Sequence, residues 1–290
     1  PYSAPATLNV IPHYEYGFGA YFPKNGIRSI ATTVYNKAVA LGATFLFNTP
    51  VKQVNRTKSG KFEVNNASVY DILVCNLDVS TAAKGPLRSL LKPQNAAYKP
   101  SSSALIFYWG IKKKFKELDL HNIFFSDNYK AEFKEIFSDQ EIGQNPTIYI
   151  HISSKANPQD APEYGENWFV MVNAPYVVEQ DWKKQIARTR ERILGRLSHQ
   201  LGEEIESLIE VEEMLTPQLI YEKTGSYKGA LYGSSSNNPI SAFLRQPNFS
   251  KKHKGLYFCG GSVHPGGGIP LALLSAKITS NIIKQDYELG

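Results

Sequence analysis

The chain has little sulfur: two cysteines and two methionines in 290 residues. Cys75 and Cys259 each sit inside an apolar run, where buried free thiols are expected rather than a disulfide or a reactive centre. The six histidines and two cysteines show no metal-ligand spacing, so no metal site is expected. No apolar run approaches the length of a membrane-crossing helix. Internal repeats and low-complexity tracts are also missing. The net charge of +6 comes without a nucleic-acid-binding motif, which argues against a nucleic-acid partner and leaves an anionic surface as the better match.

Aromatics, by contrast, are plentiful at 12%, and the composition is that of a globular chain large enough for a substantial core. Ile27, Ile30, Ala31, Val34, Ala38 and Leu41 recur at helical spacing, with Gly42 as the stop. Strands are predicted over 43–47, 61–64 and 68–75, with turns at Ser59-Gly60 and Asn65-Asn66. A helix over 80–91 is weakened by Pro86. Residues 99–103 read as a linker.

Beyond it, β-rich aromatic segments are expected at 103–112, 122–126, 147–153 and 167–173, with a short helix at 129–137. Ile148, Ile150 and Ile152 alternate with Tyr149, His151 and Ser153, so this sheet has two different faces, one for a core and one free to line a pocket. The longest helix runs from Asp181 to Leu201, with Lys183, Lys184, Arg188, Arg190 and Arg192 opposite its apolar side. A less regular continuation over 205–214 leads to a Gly/Ser/Asn-rich return at 225–238 and then to 243–247. Lys112-Lys-Lys-Phe-Lys116 is read as a solvated strand end or as a membrane contact with Phe115 entering the interface.

The densest information lies near the end of the chain. Gly255 to Cys259 reads as a buried strand, Gly260 to Gly268 holds five glycines, and Pro270 suits the first turn of a helix. Leu271, Leu274, Ile278 and Ile282 share one face of that helix, with Ala272 and Ala276 allowing close packing. Its positive end would face an electron-rich or anionic group.

Gly-Gly-Ser-Val-His-Pro-Gly-Gly-Gly-Ile-Pro over 260–270, followed by a small, apolar helix, resembles the C-terminal motif of the bacterial-type phytoene desaturases, which are FAD-dependent carotenoid desaturases. It is most similar to the branch acting on hydroxylated carotenoids at the 3,4 position. Two further stretches resemble the family: Leu41-Gly-Ala through Asn48 to Val51, and Asp71-Ile-Leu-Val-Cys-Asn-Leu-Asp78. The resemblance implies a mixed α/β fold, with a partial FAD-binding Rossmann-like domain and a substrate domain whose mixed or antiparallel sheet is covered by helices around a hydrophobic channel. The implied division is a return segment over 1–22, FAD-binding parts at 23–80 and 251–290, and the carotenoid domain at 81–250. The implied cofactor contacts are Val51, Asn76, Asp78, Gly260, Gly261, Ser262, Gly268, Ile269, Pro270 and Leu271.

The family's opening strand, Gly-x-Gly-x-x-Gly turn and helix are not in this sequence, and Gly17-Phe18-Gly19 does not replace them. The expectation is therefore the C-terminal part of a larger enzyme, with FAD held tightly only when the whole is present. The implied reaction moves a hydride from a polyene to the flavin and releases a proton, adding one double bond. No general base is identified; His264 beside the glycine turn is a candidate, with structural hydrogen bonding the alternative. His151 is expected to be satisfied in the core rather than to face the channel. Ser262 lacks the Gly-x-Ser-x-Gly elbow of hydrolases. A carotenoid substrate implies a cytoplasmic protein at an anionic membrane surface. Two other readings stay open: a related flavin oxidoreductase of retinol-saturase or amine-oxidase type, and a non-catalytic lipid-binding module.

Overall fold

The computed structural model describes residues 9–92, 99–233 and 245–288. It is a mixed α/β structure with three sheets. Two helices open it, α1 (Val10–Phe18) and α2 (Arg28–Ala40). The periodicity of residues 27–41 does form a helix, and Gly42 ends it with φ +87°. No residue of α2 is buried, however, and Val34 and Val39 are 55% and 46% exposed. The apolar stripe is thus a surface face of the described structure. Helix α1 has no counterpart among the sequence expectations, because its Tyr/His/Gly-rich sequence lacks a clear apolar period.

Strands β1 (Val54–Arg56), β2 (Phe62–Val64) and β3 (Ser68–Tyr70) make an antiparallel meander. Asn65 and Asn66, both at positive φ, form the predicted turn between β2 and β3. The single strand expected over 68–75 is two strands. The chain breaks after Tyr70, and β4 (Leu73–Cys75) leaves the meander to pair in parallel with β10 (Leu256–Phe258). The strand expected over 43–47 does not form; those residues are coil and turn, with no neighbouring strand to supply a ladder. Helix α3 (Val79–Lys84) stops before Pro86, and the rest of the predicted 80–91 helix is turn.

The largest sheet has five antiparallel strands in the order β6–β7–β8–β5–β9. These are β5 (Ser103–Ile111), β6 (His121–Phe124), β7 (Ile148–His151), β8 (Glu166–Ala174) and β9 (Ile209–Leu215). Helix α4 (Tyr129–Lys134), continued by a π turn to Asp139, lies between β6 and β7. Helix α5 (Trp182–Leu201), capped by the Asp181 carboxylate on Lys184 N–H, covers one face. Trp182, Ile193, Leu194 and Leu197 pack there with Phe107, Trp109, Trp168, Ile150 and Val170. Each such buried side chain contributes roughly 1.5–3 kcal/mol.

Two expectations fail in this unit. The stretch after α5 is one helical turn, α6 (Ile205–Leu208), and then β9; the acidic, weakly alternating sequence hid a strand that is paired on one side only. Helix α7 (Pro217–Thr224), capped by Thr216 on Leu219 N–H, precedes the expected return, which begins at its Gly225 cap. That return is described as far as Gly233, and residues 234–238, 243 and 244 lie outside the described residues. Phe115 is only 1% exposed and packs against Trp168 at 5.2 Å, so it is a core side chain and not a membrane probe. The cationic side of α5 is also largely engaged: Arg190 pairs with Glu206 and Glu212, and Arg192 donates to the Ile142 and Gly143 carbonyls.

A second core joins distant parts of the chain. Val54, Phe62, Val79, Leu87 and Leu90 meet Leu256, Phe258 and Val263. Helix α8 (Ile269–Asp286) completes this side, and Tyr257, 1% exposed, donates its hydroxyl to Asp286 near the helix end at 2.7 Å. None of the helices among the described residues is long and apolar enough to cross a membrane.

Candidate functional site

The parallel β4–β10 pair brings two sequence-predicted stretches to the same strand ends. Cys259 N–H donates to the Cys75 carbonyl at 3.1 Å, and the next residues, Asn76 and Gly260, lie side by side. A Cβ on Gly260 would come within 2.2 Å of Asn76 Oδ1, and Gly260 has φ +103°. Glycine is required here on both counts. Gly260→Ala is expected to lower stability by about 3 kcal/mol, combining backbone strain with overpacking. An unshifted thermal midpoint would rule this account out.

The turn then folds tightly on itself and against the segment that follows α7. Gly261 approaches the Gly267 backbone, Gly267 lies against Tyr232, and Gly233 lies against Ser262. Arg245 donates to the Tyr232 carbonyl at 3.0 Å. Most of these glycines therefore serve close packing within the protein. Gly268 differs: at φ +102°, a Cβ added to it would meet nothing within 4 Å, and it opens onto the N-terminus of α8. Ile269, Leu271 and Leu274 beside it are 46%, 40% and 45% exposed.

Helix α8 is rotated from the sequence expectation: Ile278 and Ile282 of the expected stripe stay half-buried. Leu271 and Leu274 point outward, and the buried residues are Ser275 and Thr279. The reason is a polar hub. Asn248, 3% exposed, directs Nδ2 toward the carbonyls of Phe258 and His264 and the hydroxyls of Ser275 and Thr279, at 2.9–3.2 Å. Ser275 Oγ also accepts from Gly260 N–H at 3.1 Å, and Thr279 donates to the Phe258 carbonyl at 2.8 Å. The hub satisfies backbone groups that the glycine turn leaves without a ladder. Sequence reasoning missed Asn248, Ser275 and Thr279. A Ser/Thr pair at i,i+4 in an apolar helix is the signal that points to them.

The remaining predicted residues are distributed as follows. Asp78 caps α3, accepting from Ser80 N–H at 2.8 Å and Thr81 N–H at 3.3 Å. Burial pushes its carboxyl above the usual range, opposed by those backbone bonds. Val51, 48% exposed, lies on the coil before β1, which the Asn65 side chain fixes through Lys52 N–H and the Pro50 carbonyl. His264 is exposed, follows a turn held by its own N–H to the Gln246 carbonyl, and precedes Pro265 through a cis bond. Its backbone supports the turn. Cys75 and Cys259 are free and half-buried, and burial pushes the Cys75 thiol up to about 11. His151 is not in the core; it is half-exposed on the outer face of the five-stranded sheet.

A family model described as flavin containing amine oxidoreductase matches residues 2–284. The chain belongs to that family. Within it, the chain is 47% identical, over 98% of its length, to a 1-hydroxycarotenoid 3,4-desaturase from Flavobacterium sp. (strain P99-3), and covers 59% of that protein. It is 29% identical to a phytoene desaturase from Phycomyces blakesleeanus, covering 97% of this chain and 51% of the relative. The chain thus spans little more than half the length of these curated relatives. Among solved structures, an oxidoreductase from Methanosarcina mazei matches 88% of this flavin-family chain and 55% of its own, with TM-score 0.51 and 13% identity, which shows a shared fold.

Proposed function

We propose that this chain is part of an FAD-dependent carotenoid desaturase that adds double bonds to a polyene, and that the polyene is hydroxylated. The 47% identity to a hydroxycarotenoid desaturase, sustained over nearly the whole chain, carries this reading. A truncated lipid-binding module would have no need of the rigid Gly260–Gly268 turn and its polar hub.

In this reading, residues 23–80 and 251–290 form a Rossmann-like flavin side, and 81–250 form the substrate side, with 1–22 returning between them. The two separate hydrophobic cores support such a division, and Leu87 and Leu90 extend the flavin side to about residue 90. The bare apolar faces of α2 and α8 are surfaces that a complete flavin-binding unit would cover.

The residues at the start of α8 fit a planar heteroaromatic ring with an electron-rich edge. Gly268 leaves open space, and Ile269 and Leu271 offer apolar contact. The first-turn N–H groups and the helix dipole place positive potential there, worth about 0.3–1 kcal/mol or more when water is excluded. Gly260, Gly261 and Ser262 hold that end in place, and Asn76 and Asp78 anchor the adjoining strand and helix. Bound FAD would accept the hydride in the reaction. The chain's own part is to hold the ring edge against the α8 N-terminus, to exclude water with Ile269, Leu271 and Leu274, and to lay the polyene along an apolar surface. Association with an anionic membrane belongs to the same reading, supported by the net charge of +6 and the oil solubility of polyenes.

The test is expression of the intact gene product in bacteria that accumulate hydroxylated polyenes. The expected result is pigment with a longer conjugated system and flavin absorbance in the purified protein. Flavin binding with unchanged pigment would transfer the chain to another oxidoreductase reaction. A protein that binds polyene but no flavin would favour the lipid-binding module.

A further inference from the structure

The outer face of the five-stranded sheet, away from α5, carries two rows of side chains set by strand register. One row runs His121, His151, Phe169, Tyr108 and Glu213 across β6, β7, β8, β5 and β9. The next row runs Ile123, Tyr149, Met171, Ile106 and Leu215. The middle of this face is apolar and aromatic: Phe169 meets Tyr108 at 5.6 Å and Tyr149 at 6.3 Å, edge to face. Five strands give it a breadth of about 19 Å.

Its β6 end is different in chemistry. His121 Nδ1 and the Tyr149 hydroxyl share a hydrogen bond of 2.8 Å, and the two histidine rings lie 5.1 Å apart. Phe22, from the segment between α1 and α2, lies against His151 at 6.2 Å and roofs this corner. The face is therefore an apolar track closed at one end by hydroxyl and imidazole groups. Its amphipathic layout matches a long apolar molecule with one hydroxyl near its end, and neither a fully apolar polyene nor a charged metabolite uses both parts.

We propose that Tyr149, with His121 and His151 beside it, recognises the hydroxyl group of a hydroxylated polyene lying across this sheet face. The inference rests on the desaturase reading for its substrate class and assigns the group that would select within it. A Tyr hydroxyl and a neutral imidazole each donate and accept, so together they satisfy both hydrogen-bonding roles of an alcohol. His151 is kept toward its neutral form by burial and by the neighbouring His121, with Asp160 opposing. Discrimination arises because an alcohol adds a hydrogen bond to the Tyr149–His121 pair that a polyene without the hydroxyl cannot make.

The test measures binding of two polyenes of equal conjugated length, one hydroxylated and one not, from detergent micelles to the intact protein, read by polyene absorbance. The native protein is expected to favour the hydroxylated ligand. Tyr149→Phe keeps the ring and is expected to reduce that preference about ten-fold. His121→Ala, at an exposed position, is expected to reduce it in the same direction. Because the readout is a ratio within one sample, an unfolded fraction does not move it. A preference that collapses in Tyr149→Phe supports the site even if the preparation desaturates nothing. No preference in the native protein, or one unchanged in both variants, overturns the inference even where desaturation proceeds.

Discussion

Glu166→Ala is expected to destabilise the chain by about 2–4 kcal/mol, the cost of removing a buried carboxylate that three donors share. Glu166 begins β8 and is 3% exposed. Its Oε1 accepts from Phe115 N–H at 3.0 Å and from Lys155 Nζ at 2.7 Å, and its Oε2 accepts from Trp168 Nε1 at 2.8 Å. Lys155 also donates to the Phe115 carbonyl, so one carboxylate and one ammonium hold the Lys112–Lys116 segment onto the sheet. The substitution removes the shared acceptor of two N–H donors and of the half-buried Lys155 ammonium. Glu166→Gln retains an acceptor and should lose only about 1–2 kcal/mol, the charge-assisted part. Urea denaturation of the three proteins measures the series. Equal losses for both variants would refute the ranking and show that charge, not hydrogen-bond number, dominates.

Asn248→Leu is expected to cost about 3 kcal/mol and to disorder the glycine turn. Leucine matches the volume but removes the amide donor shared by the Phe258 and His264 carbonyls and the Ser275 and Thr279 hydroxyls, of which the His264 carbonyl has no second donor among these contacts. Leaving buried polar groups unpaired costs about 1–3 kcal/mol for each group that water cannot reach. Since those contacts hold the start of α8 beside Gly260, flavin affinity of the intact protein should fall together with the thermal midpoint. Hydrogen exchange at Gly260 and Ser262 is the direct readout. Native-like protection in the Leu variant would show that the turn is held by its glycine packing alone.

Much of the secondary structure was legible because it is local. Helical spacing with Gly42 announced α2, alternation over 148–153 announced β7, and the apolar period from Asp181 to Leu201 announced α5. The glycine run and Pro270 marked the turn and the start of α8. Strand β9 was not legible: it carries Glu210, Glu212 and Glu213, and only its pairing with β5 makes it a strand.

What the sequence alone determined is the set of local elements and the motif that resembles the flavin desaturases. Which way the elements face was decided by tertiary structure. Leu271 and Leu274 made the more apolar stripe of α8, yet Ser275 and Thr279 are the residues turned inward. The outcome depends on Asn248, 27 and 31 residues earlier, whose amide is satisfied only if those hydroxyls turn inward. Phe115 looked like an exposed aromatic among lysines until Glu166, 51 residues on, drew its backbone into the core. In both cases a hydrogen-bonding group distant in sequence decided the orientation, because leaving a buried polar group unpaired costs about as much as exposing a leucine.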